Sequence, residues 1–196
     1  MKSILKRISQ MIGVFAFIGA LFALPASASA SVIHIGALED GLQTLVPAGT
    51  FGPETGYLCP LDAPYGCCFE TSLYSINGKE RIGTVLFMPE LITTVAGGYD
   101  VMGTRWVVFD DENVVECRHV NFSMQITGEQ PTQPGANQVV TIHFDDPNTI
   151  GLAGAVDGGT GHSTMAGKLE IFEEGGILRE VRAVVHCVCA IEVKIN

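Results

Sequence analysis

Apolar and polar residues alternate with a period of two along most of the chain beyond residue 31. The last segment shows it best. From 177 to 195 one face reads Ile177, Arg179, Val181, Ala183, Val185, Cys187, Cys189, Ile191, Val193 and Ile195. The other carries Glu180, Arg182, His186, Glu192 and Lys194 among apolar residues. One apolar and one mixed face mark a half-buried strand, or a bent pair of strands. The length, beyond that of an ordinary strand, points to a bulge or a barrel wall. The same alternation predicts strands at 32–37, 68–76, 81–88, 100–109, 114–127, 138–144, 150–156 and 165–172. Turn sequences separate them: Asn77-Gly78, Gly97-Gly98, Asp110-Asp111-Glu112-Asn113, Pro131 to Gly135, Asp145-Asp146-Pro147-Asn148, Gly158-Gly159 and Glu174-Gly175-Gly176. No window carries a capped helical repeat. Eight or nine strands at this spacing predict one all-β domain, either a sandwich or a closed antiparallel barrel.

The first thirty residues break the pattern. Lys2, Lys6 and Arg7 precede an apolar run at 11–24, and Pro25 and Ala26-Ser27-Ala28-Ser29-Ala30 follow it. That order is expected of a secretory signal peptide. The run is too short to cross a hydrocarbon core of ~30 Å comfortably, which sets it apart from a membrane anchor. Cleavage is expected after Ala30, or after Ala28, leaving 31–196 as a single domain in a secreted or periplasmic location. No second apolar stretch approaches transmembrane length, so no membrane contact is expected after cleavage.

Charge and cysteine content sharpen this. Charged residues make up only 16% of the chain, and 11 Lys and Arg face 21 Asp and Glu. Without the three basic residues of the leader the formal charge is −13 (8 basic against 21 acidic). Phosphate recognition needs clustered cations, so a nucleic-acid partner is not expected. All six cysteines (Cys59, Cys67, Cys68, Cys117, Cys187 and Cys189) lie beyond the leader. An even number in an exported chain predicts disulfides, with fifteen full pairings open. A metal site is the rival. The spacings match no Cys-x2-Cys pair, however, and alternation turns His186 away from Cys187 and Cys189, so no metal is expected. Vicinal Cys67 and Cys68 are expected to bond separate partners, with Cys187 and Cys189 as the best candidates.

Hydrolase and nucleotide motifs are missing. There is no Gly-x-Ser-x-Gly elbow and no His-Glu-x-x-His helix, and the glycines of 158–161 sit between strands instead of opening a helix. The stretch Ala155-Val156-Asp157-Gly158-Gly159-Thr160-Gly161, followed by Ala166-Gly167-Lys168-Leu169-Glu170-Ile171, resembles dirigent proteins and allene oxide cyclases. In that superfamily a hydrophobic strand runs into a Gly-Gly-Thr/Ser-Gly turn and then into another strand. The order around the turn is similar over roughly the last hundred residues. The chain departs from the dirigent pattern after the turn: Ser163, Thr164 and Gly167 stand where an aromatic and a basic residue are usual. The resemblance implies an eight-stranded antiparallel barrel with an apolar interior, commonly oligomeric and often trimeric. It also implies an activity that steers cyclisation or coupling of an apolar reactive intermediate without a cofactor. A non-catalytic binding protein for a lipid or other apolar ligand, and a structural extracellular domain, are the alternatives.

Chemistry in such a barrel would rest on a few polar groups projecting into an apolar interior. Arg179 and Arg105 are charges on otherwise apolar faces, and with Asp157 at the mouth-side turn they form the candidate catalytic set. Trp106, Tyr74 and Phe122 are candidate aromatic contacts for a small apolar ligand. Glu116 and Arg118, which share a face with Val114, Val120, Phe122 and Met124 by strict alternation, are candidate polar contacts. A bulge that returns such side chains to solvent is the competing reading for each charge.

Overall fold

The computed structural model describes residues 31–174 and 177–195, with side chains described outside 40–42 and 173–189. The proposed leader, residues 1–30, lies outside the described residues. Eight strands follow one another: β1 (Ser31–Pro47), β2 (Cys67–Ser75), β3 (Arg81–Val95), β4 (Gly98–Phe109), β5 (Val114–Ile126), β6 (Gln138–Ala153), β7 (Thr160–Glu174) and β8 (Ile177–Ile195). Each pairs antiparallel with the next, and β8 returns to pair with β1, so the single sheet closes on itself. Among the described residues there is no α-helix, only a 3₁₀ turn at Gly154–Val156.

Closure gives each strand an inner and an outer face. Inside lies one apolar cluster that includes Leu73, Val85, Val107, Phe122, Phe144 and Ile171. Phe122 sits between Phe87 and Phe144, with ring centroids 4.9 Å from each. Outside, residues 48–66 fold back over the wall and cover a second cluster of Val46, Cys59, Ala63, Cys68 and Leu86, with Tyr57, Met88 and Trp106 against it. Buried Glu70 pins this loop: its carboxylate accepts the backbone N–H of Thr55 at 2.7 Å and of Glu54 at 3.2 Å. Glu170 does the same for the loop at 127–137, accepting the N–H of Thr132 at 2.6 Å and of Gln133 at 2.8 Å.

Two expectations about the strands need correction. The segments 138–144 and 150–156 are not separate strands, because β6 runs through the expected turn at Asp145-Asp146-Pro147-Asn148. The register shifts between Asp146 and Thr149, which marks a bulge. Buried Asp146 accepts the N–H of Asn148 at 2.9 Å, and the bulge accommodates Pro147, which has no N–H to give a ladder. Residues 154–156 form the 3₁₀ turn instead of a strand end. Farther on, Gly161 packs where a Cβ would overlap the Glu192 carbonyl, so the glycine-rich turn serves close strand packing.

The cysteine pairing also differs. Cys68 bonds Cys59, with Cα atoms 5.8 Å apart, while Cys67 and Cys117 are free thiols. The reason is local: the 48–66 loop returns Cys59 to the outer face of β2, whereas alternation turns Cys67 away from it. The side chains of Cys187 and Cys189 lie outside the described residues. Replacing both Cys59 and Cys68 with alanine is expected to cost about 2–3 kcal/mol, the loop entropy of so short a closure. Urea melts of the oxidised protein and the double variant test this, and identical midpoints would show that the bridge does not form.

Candidate functional site

A pocket opens within the ring, in the half nearest the 48–66 loop and the 127–137 loop. Its walls are apolar, with Phe69, Phe87, Ile92, Phe122, Met124 and Met165 prominent. The space open to the centre of a water-sized sphere is about 50 Å³. That is room for roughly three to five waters, each needing ~10–15 Å³ by the same measure, so the interior is a narrow slot.

Among the described residues, Arg105 and Glu39 are the charged groups of the slot. Arg105 is 1% exposed and Glu39 6%. They form an ion pair that reaches across the interior from β4 to β1. The guanidinium carbon also lies 5.4 Å from the centroid of the Phe144 ring, a cation–π arrangement. Taking two charges out of water costs several kcal/mol per ion before their attraction is counted, so such a pair is costly where packing is its only purpose. Thr71 lines the same slot, 4% exposed, and its hydroxyl has no hydrogen-bond partner among the described residues.

Beyond Arg105 the interior holds a second polar group. Arg105 faces Cys117 across the β4–β5 ladder, and Cys117 faces Thr149 across β5–β6. The Cys117 thiol lies 3.1 Å from the Ser163 hydroxyl and 3.6 Å from that of Thr149. Burial pushes the thiol up, partly offset by the charge of Arg105 and by those two hydroxyls. A raised pKa means the folded state holds the neutral thiol. Its contribution to stability is present below the ordinary value of 9.0 and is lost as pH rises past it, when only the unfolded chain ionises freely. Cys117 is therefore expected to resist alkylation at neutral pH until the protein unfolds. Peptide mapping after iodoacetamide treatment checks this, and rapid native labelling of Cys117 would contradict its burial.

The sequence-predicted residues divide sharply. Arg105 and Phe122 line the slot. Trp106 lies on the outer face, half-buried under the 48–66 loop, where its indole N–H donates to Glu116 at 2.8 Å. Glu116 is buried there too, paired with exposed Arg118 and close enough to Tyr57 to raise its hydroxyl pKa after burial itself. Alternation fails for these two because β5 bulges. Gly103 opposes Val120 and Arg105 opposes Cys117, so Arg118 and His119 together face Thr104 alone. His119 takes φ 53°, a backbone region rare outside glycine, and its ring nitrogen lies 2.6 Å from Glu90. Past the bulge, Val120, Phe122 and Met124 turn inward, while Glu116 and Arg118 stay outside.

Tyr74 is half-buried on the opposite face of β2 from inward Leu73, and does not reach the slot. Asp157 is exposed, beside the 3₁₀ turn at the far end of the ring. The side chain of Arg179 lies outside the described residues. Glu39, Thr71, Phe87, Met124 and Met165 were not anticipated. For Glu39 the signal existed: it continues the inward series Ile33, Ile35, Ala37 as a charge on an apolar face. Among the described residues no group of three or more His, Cys, Asp or Glu is arranged to hold a metal ion. The chain matches no protein-family model, and no curated protein matches it.

Proposed function

We propose that this chain is an exported small-molecule-binding β-barrel of the dirigent or allene oxide cyclase kind, which holds an apolar molecule in the interior slot. The observation that carries this reading is the buried Arg105–Glu39 pair on an aromatic-lined pocket. Charges kept at that cost inside an otherwise apolar cavity are a functional-site signature. In a cyclising or coupling reaction, Phe87 and Phe122 would hold the intermediate in one conformer and exclude water. The Arg105 N–H groups would stabilise oxygen as it gains negative charge. No cofactor is needed for that role. The Cys59–Cys68 bridge is compatible with an oxidising compartment, and the resemblance adds the expectation of a homo-oligomer, often a trimer.

A second reading has its own observation. Phe87, Phe122 and Phe144 meet in tilted and edge-to-face contacts within the core of the ring, as they would in a structural extracellular domain with a packed core. Native mass spectrometry of the protein, purified without denaturation and then exposed to epoxide, phenolic and terpenoid probes, separates the two. The binding reading expects a retained small molecule that is lost in Val101→Trp, a variant that fills the slot. No retained mass with any probe would favour the packed core. Retention without conversion would leave binding and remove the cyclase.

A further inference from the structure

The composition of the slot narrows its ligand class, on the assumption that the slot binds a ligand at all. We infer that the ligand is electrically neutral and carries an oxygen that accepts a hydrogen bond, a carbonyl or ether, set against the hydroxyl of Thr71. Two independent observations lead there. The first is charge balance. Arg105 is paired with Glu39, and the other described residues that line the slot are uncharged. A carboxylate entering this space would bring a net negative charge into an apolar interior, and Asp146 adds another buried carboxylate further in. A neutral molecule avoids that cost.

The second observation is the Thr71 hydroxyl. It is buried, lines the slot and meets no hydrogen-bond partner among the described residues. A hydroxyl so placed is a standing cost to the fold unless something that enters the slot accepts from it. Gln43, also on the wall, brings an uncharged amide and leaves the charge balance unchanged. The rest of the lining is almost wholly apolar and narrow, so one oxygen on a slender hydrocarbon skeleton fits better than a polyol.

Three probes that share a phenyl ring and a short substituent test this: ethylbenzene, acetophenone and phenylacetate, which are apolar, neutral with an acceptor, and anionic. Their dissociation constants are measured by calorimetry for the full chain, for Thr71→Val and for Thr71→Ser. Acetophenone is expected to bind about five- to tenfold more tightly than ethylbenzene, the ratio one neutral hydrogen bond supplies. Phenylacetate is expected to bind at least about tenfold more weakly than acetophenone. Thr71→Val should abolish the preference for the ketone and leave ethylbenzene affinity intact. Thr71→Ser should keep the preference. Tightest binding of phenylacetate, or a ketone preference that survives Thr71→Val, would overturn the inference while leaving a binding slot in place. Failure of all three probes to bind would overturn both.

Discussion

Arg105→Ala is expected to destabilise the protein by about 3–5 kcal/mol, the loss typical of a buried pair from which one partner is removed. The cost arises mainly from what remains: Glu39 keeps its carboxylate in a largely apolar interior without the Arg105 guanidinium. The same reasoning predicts a rescue. Arg105→Met combined with Glu39→Leu removes both charges and fills their volume with apolar groups, an exchange that is often neutral or stabilising. Urea unfolding of the single and double variants measures the coupling. A single variant within about 1 kcal/mol of the parent would mean that the pair is solvated. A double variant as unstable as the single one would mean that the two side chains do not compensate one another. If the pair serves the ligand, the double variant should fold well and bind poorly, which separates stability from function.

Phe122→Ala is expected to cost a similar amount, about 3–5 kcal/mol, through lost burial and the cavity left behind. Its ring has an aromatic neighbour on each side at 4.9 Å, and each such contact adds about 0.5–1.5 kcal/mol beyond area. Ile126→Ala is the internal comparison: the same strand, 42% exposed, with an expected change of about 0.5 kcal/mol or less. A result in which the two variants are equal would mean that the β5 bulge does not turn Phe122 inward. Because Phe122 also lines the slot, the variant widens it, so bulkier ligands should gain affinity as stability falls.

The bulge separates what could be read in the sequence from what could not. Alternation places most strands approximately, apart from the split of β6 and the end of β1, and identifies Arg105, since its odd-numbered neighbours Val101, Val107 and Phe109 are all apolar and all inward. The same rule puts Glu116 beside Phe122 on one face, and there it fails. One extra residue at Arg118-His119 reverses the parity, and no glycine marks the place. A proline misleads in the opposite way: Pro147 within an acidic tetrapeptide has every sign of a turn, yet β6 absorbs it. Trp106 illustrates a third limit. Its strand face is legible, but the cover over that face comes from a loop pinned through Glu70 and the Cys59–Cys68 bridge, contacts far from it in sequence. Glu39 was missed for a simpler reason: Leu38-Glu39-Asp40-Gly41 looks like the end of a strand, whereas β1 continues to Pro47.

The claim that a ligand sits inside the ring is tested most directly by its methionine methyl groups. Met124 and Met165 line the slot, and Met88 packs on the outer wall against the Trp106 cluster. With methyl-labelled methionine and acetophenone titrated to saturation, the Met124 and Met165 resonances are predicted to shift together along one binding curve while Met88 stays in place. A shift of Met88 alone, or no shift at any of the three, would contradict an interior binding site.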